Sequence, residues 1–137
     1  MPLVPNDTDG AITRTRVQAW AAAREKATVV AADDEATTQS AATLLAGGPV
    51  IYTMTPTAGR TLTTPTGAQL GAAVSDEVVG TSFEFTVVNL AGATHAITLT
   101  AGASGVTLVG DAAVEAATSS SFVGVFTAAD TVSIYKK

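Results

Sequence analysis

Apolar side chains follow two different spacings along the chain, and the change falls near residue 48. Of the 37 large apolar residues (Val, Ile, Leu, Met, Phe, Trp and Tyr), ten lie in the first 48 positions and 27 in the remaining 89. Gly47-Gly48-Pro49 marks the change, a turn signal that also stops a helix. The pattern predicts an N-terminal arm over residues 1–48, partly helical, and a β domain over residues 49–137.

Beyond Pro49 the apolar period is two. Val50 to Thr55 and Arg60 to Thr63 read as strands joined by a turn at Pro56-Thr57-Ala58-Gly59. Thr64-Pro65 opens a short helix through Ala68, Leu70 and Ala73, with Thr64 as cap and proline at the first helical position. The clearest strand is Ser82 to Val88, with Phe83, Phe85 and Val87 on one face and Glu84 and Thr86 on the other. Thr94 to Thr100 is expected to pair back on it, with His95, Ile97 and Leu99 in phase. Val106 to Val109 and, more weakly, Ala113 to Ala117 add strands. Ser121 to Thr127 and Thr131 to Tyr135 form a hairpin over Ala128-Ala129-Asp130. Short strands between glycine-rich turns, with one small helix, predict a mainly β fold, a β-sandwich or jelly-roll-like domain. Its core is expected to comprise Phe83, Phe85, Val87, Ile97, Leu99, Val123, Val125, Val132 and Ile134.

In the arm, residues 11–26 have good helix propensity, with Asp9 as cap, yet only Ile12, Val17 and Trp20 are large and apolar. So narrow a stripe does not sustain a helix alone, and this one requires a partner surface. Thr28-Val29-Val30 is a β-prone break. A second helix is expected from Asp33-Asp34-Glu35, whose acids suit a helix N-terminus, to Leu44-Leu45-Ala46.

Composition narrows the chemistry. The 137 residues include no Cys and one His, which removes disulfides, thiolate ligands and a cysteine nucleophile and leaves little acid/base capacity near neutral pH. Ala and Thr supply 27 and 23 residues, so much of the apolar content is methyl groups. The core is thin for this size, and subunit contacts are expected to supply further burial. Net charge is −5, and residues 61–135 contain six acids and no Lys or Arg. That balance argues against nucleic acid and an anionic membrane as partners. The N-terminus lacks a signal-peptide pattern, and no apolar run is long enough to span a bilayer. The protein is expected to be made in the cytoplasm.

The individual candidates reduce to structural readings. His95 is expected to serve packing or an interface; three copies around an ion on a three-fold axis is a remote alternative, and catalysis a remoter one. Asp33-Asp34-Glu35 lacks the D-x-D-x-D spacing of a calcium loop and reads as helix capping. Gly47-Gly48 and Gly102-x-x-Gly105 lack the GK[ST] ending of a phosphate loop and read as turns. The threonines at 53, 55, 61, 63, 64, 94, 98 and 100 read as a solvated strand face rather than a sugar- or ice-binding one. No catalytic residue, metal site or cofactor is expected. Arg14, Arg16, Arg24 and Lys26, with Trp20 as anchor, divide evenly between a solvated face and a docking surface for an acidic partner.

The phrases Arg60-Thr61-Leu62-Thr63-Thr64-Pro65-Thr66, Val79 to Asn89, Val106-Thr107-Leu108-Val109-Gly110 and Thr131 to Lys136 resemble a module of tailed-bacteriophage virion proteins, the small head decoration (cement) proteins and head-fibre parts. The resemblance is one of strand and turn phrases, and residues 1–48 lie outside it. It implies a homotrimer attached to a protein shell, on the virion's capsid surface, with the major capsid protein as partner. The arm, through Arg14, Arg16, Trp20 and Arg24, is then expected to clamp neighbouring capsid subunits. The alternative is a trimeric head- or tail-fibre knob binding a receptor or glycan. A hydrolase on a β-sandwich is a distant third.

Overall fold

A computed structural model describes residues 26–137. Ten strands and two short helices follow in order: β1 (Thr28–Ala31), β2 (Thr37–Thr38), α1 (Ala41–Leu44), β3 (Val50–Met54), β4 (Arg60–Thr63), α2 (Gly67–Ala73), β5 (Ser82–Asn89), β6 (Ile97–Thr100), β7 (Val106–Val109), β8 (Ala113–Val114), β9 (Ser119–Ala128) and β10 (Thr131–Lys136). They build a six-stranded sheet in the order β1-β3-β5-β9-β10-β7 and a four-stranded sheet in the order β2-β4-β6-β8. The fold is mainly β and two-sheeted, as the alternating pattern predicts.

The chain changes sheet after each of its first six strands, so that β1, β3 and β5 run parallel in one sheet and β2, β4 and β6 run parallel in the other. Three consecutive passes therefore stack as rungs, and only the β9–β10 hairpin joins neighbours directly. Two expected pairings change accordingly. The turn at 56–59 joins strands in different sheets, and residues 97–100 pair with β4 and β8 instead of folding back on β5.

The arm boundary moves as well. Within the expected 1–48 arm, β1 pairs with β3 and β2 with β4, so the residues from Thr28 onward belong to the two sheets and Gly47-Gly48 is a turn inside the fold. Both glycines have positive φ, 84° and 72°, which suits their place there. No helix starts at Asp33-Asp34-Glu35. The chain bends there and enters β2, and the only helix before Gly47 among the described residues is α1, capped by the Ser40 hydroxyl accepting from the Thr43 N–H at 3.4 Å. Helix propensity in this stretch yields to the edge positions that β3 and β4 offer. The expected helix over 11–26, and Arg14, Arg16, Trp20 and Arg24 with it, lies outside the described residues except for Lys26.

In α2 the cap is Thr66, two residues later than expected, in a capping box: its hydroxyl accepts from Gln69 N–H, and the Gln69 side chain accepts from Thr66 N–H. Thr64, the expected cap, is buried and accepts from Gly102 N–H at 2.8 Å, which fixes the β4–α2 connection against the β6–β7 turn.

The core lies between the sheets. Tyr52, Met54, Phe83, Phe85, Val87, Phe122, Phe126, Val132 and Ile134 come from the larger sheet, and Leu62, Ile97, Leu99 and Val114 from the smaller. Phe85 stacks on Phe122 at 5.3 Å between centroids, and Phe83 meets Phe126 edge-on at 6.4 Å. Burying a side chain of this kind contributes roughly 1.5–3 kcal/mol before ordering costs. Seven of the nine expected core residues are in place, while Val123 and Val125 are not: they point outward, half-buried, and Phe122, Gly124 and Phe126 face the core. The phase is set by volume. The two phenylalanines fill the interior, and Gly124 leaves room for the Phe83 ring, which a Cβ at that position would strike.

Candidate interaction surface

The outward phase of β9 gives the six-stranded sheet a mixed face. Register places Val29, Ile51, Thr86 and Ser121 in one row across the strands, and Glu84, Val123, Tyr135 and Val109 in the next. Val29, Val109 and Tyr135 are 62%, 45% and 41% exposed, and Ile51, Val123 and Val125 are half-buried. Lone exposed apolar residues are ordinary, but several of them on one sheet face, interleaved with Ser and Thr, suit contact with another protein. On this face Glu84 Oε1 accepts from Lys137 Nζ at 3.1 Å, whereas Lys136, in the inward phase of β10, reaches Asp111 Oδ2 at 3.0 Å and the Ala113 carbonyl of the smaller sheet at 2.7 Å.

The outer face of the smaller sheet is different in kind. Thr38, Thr63 and Thr100 form one cross-strand row, and Thr61 lies beside Thr98. Five hydroxyls thus stand together; four of them, Thr61, Thr63, Thr98 and Thr100, belong to the threonine face of the sequence reading and Thr38 joins them, while Thr53 belongs to the other sheet, Thr55 and Thr94 lie outside the strands, and Thr64 is buried.

Two polar fixtures hold the surfaces in register. The Asp34 carboxylate accepts from Arg60 Nε at 2.6 Å and from Thr57 N–H and its hydroxyl, joining the β1–β2 bend to the β3–β4 turn. The Arg60 guanidinium, and then the Thr57 hydroxyl, hold this carboxyl well below the usual carboxylate range. Asp34 therefore serves the fold through a salt bridge, in place of the helix capping expected of it. At the far end of β5, Asn89 is 1% exposed and satisfied on both sides: Nδ2 donates to the His95 and Val114 carbonyls at 2.8 and 2.9 Å, and Oδ1 accepts from Ala91 N–H at 3.0 Å. A buried amide saturated in this way fixes the 90–96 loop against β8. His95 takes part through its carbonyl, its ring half-buried.

Among the described residues, no group of three or more His, Asp or Glu side chains is placed to share a metal ion, and no helix is long and apolar enough to cross a membrane. Two hollows of about 390 and 310 Å³ adjoin at Gly48 and Glu84 beside the α1–β3 loop.

No protein family, curated protein or solved structure matches the chain. The sequence reading singled out neither the outward valines nor Asp34–Arg60, nor Asn89. Partial signals existed. Arg60 is the lone Lys or Arg between Lys26 and Lys136, and Asn89 is an amide ending an apolar strand.

Proposed function

We propose that this is a non-enzymatic virion structural protein: a capsid decoration or cement protein that binds the outside of the major capsid shell and stabilises it. The observation that carries the reading is the outer face of the six-stranded sheet over β9, β10 and β7, where Val123, Val125, Tyr135 and Val109 lie among serines and threonines. Such a face has short side chains with little rotamer entropy to lose, so packing against an identical or flat neighbour costs little. Together with the resemblance in strand and turn phrases, it supports a homotrimer built on this face, with Arg14, Arg16, Trp20 and Arg24 docking on the major capsid protein.

A ligand that binds the assembled shell and not its dissociated subunits stabilises the shell by mass action, and no chemical step is needed. The test is co-sedimentation of the full chain with expanded heads of the cognate capsid protein. The intact chain is expected to pellet with the heads and raise their disassembly temperature. Trp20→Ala combined with Arg14→Ala, Arg16→Ala and Arg24→Ala is expected to weaken binding by at least tenfold, about 1.4 kcal/mol. Equal binding by that variant overturns the docking role of these residues, and failure of the intact chain to bind overturns the shell reading itself.

The second reading, a trimeric head- or tail-fibre knob, draws on the threonine rows of the smaller sheet, Thr38–Thr63–Thr100 and Thr61–Thr98, as a flat hydroxyl surface for a receptor or glycan. It predicts glycan binding by the isolated protein.

A further inference from the structure

β3 pairs with β5 only over Ile51–Met54 and Thr86–Asn89, so the Ser82–Phe85 half of β5 has no strand beside it on that side, although β9 covers its other edge throughout. An edge left in this way presents backbone N–H and C=O groups that accept a further extended segment. The two adjoining hollows lie along it. Leu45, Gly48, Pro49 and Ile51 form one wall, and Glu84 stands exposed where the hollows meet.

The chain itself arrives at this place. Thr28 N–H donates to the Pro49 carbonyl at 2.8 Å, and Thr28 stands opposite Val50, so β1 begins level with the start of β3. Arg24 is four residues from Thr28, at most ~14 Å of chain, and Trp20 eight residues, at most ~29 Å. The segment from Arg16 to Glu25 contains two arginines, Arg16 and Arg24, on either side of Trp20, the only indole, and one acid, Glu25, while the exposed charge of the groove is the acid Glu84.

We propose that this groove is the docking site of the chain's own residues 16–25 in the free protein, with Trp20 against Leu45, Pro49 and Ile51 and Arg24 paired to Glu84. The Lys137 ammonium now on Glu84 is an exposed partner, which Arg24 displaces at little cost because such surface pairs are weak. Any shell that takes up Trp20 competes with this groove, and the proposal stands whether or not a shell does so.

The test uses the full chain and two of its sequence features, a single Trp and no Cys. Trp20 emission is expected to be blue-shifted, with acrylamide quenching several-fold weaker than for free indole. Glu84→Lys and Ile51→Asp are each expected to restore quenching several-fold towards the free value, and Glu115→Lys to leave it unchanged, with circular dichroism reporting the fold of each. In an oxidised Arg24→Cys/Glu84→Cys protein an intramolecular disulfide is expected, and none in Arg24→Cys/Glu115→Cys. Quenching as in free indole, burial of Trp20 indifferent to both groove substitutions, or no Arg24–Glu84 disulfide overturns the proposal. Burial lost on dilution, with intermolecular disulfides, assigns the groove to a second copy and overturns it equally.

Discussion

Asp34 and Arg60, 26 positions apart, meet at 2.6 Å and tie the first pass of the chain to the second. The pair joins the bend before β2 to the start of β4, which pair with each other, so it closes the rung at its turn end. Its carboxyl is held below the usual range by the guanidinium first and the Thr57 hydroxyl second. A folded-state value below the unfolded one, near ~4 for an aspartate, gives stability that is present above that unfolded value and is lost as pH falls through the folded one. Urea midpoints of the wild type are therefore expected to decline on acidification below pH ~5. Asp34→Asn is expected to start lower at neutral pH and to decline less steeply. Parallel pH profiles for the two proteins contradict this assignment.

Gly124 and Phe83 test the phase of β9. A valine at 124 collides with the Phe83 ring and is expected to destabilise the protein by about 1–3 kcal/mol. The Gly124→Val/Phe83→Ala double variant is expected to lose less than the sum of the single variants, because the collision is removed with the ring. Val125→Thr, on the outward face, is expected to change stability by no more than about 0.5 kcal/mol. Chemical denaturation of the wild type and the four variants checks all three statements, and a large loss in Val125→Thr contradicts the phase.

That strand also shows where the sequence stops being legible. Ser121-Phe122-Val123-Gly124-Val125-Phe126 is apolar in both phases, so alternation names a strand and leaves its inner face open. Volume decides it: two phenylalanines and a glycine opposite Phe83 fit the interior, and two valines do not fill it. Strands with one polar face, such as Ser82–Asn89, declare their phase, and Phe83, Phe85 and Val87 are buried as read. Which strands pair is a different matter. The pairing of Thr28–Ala31 with Val50–Met54 is parallel and crosses another sheet on the way, so no tight turn signals it. A four-residue strand such as TVVA looks like a break in a helical arm until its partner is known. The outward surface is hidden in the sequence for the same reason, since alternation alone places Val123 and Val125 in the core as readily as Phe122 and Phe126.

The proposed self-association on the outer face rests on the same valines. Val123→Lys places a charge in the middle of the Glu84–Val123–Tyr135–Val109 row without entering the core. Light scattering is expected to give the mass of a trimer for the wild type and of a monomer for Val123→Lys, with unchanged circular dichroism. A monomeric wild type, or a trimeric variant, contradicts the use of this face.

The most direct test of the shell-decoration reading is imaging of the intact particle by electron cryomicroscopy, with the copy number counted on the same preparation. The account predicts density for the protein across the outer capsid surface, at repeated sites related by the shell's symmetry, with copies on the order of hundreds. Density confined to a fibre or to the tail, at a few to roughly tens of copies, contradicts it and favours the fibre knob.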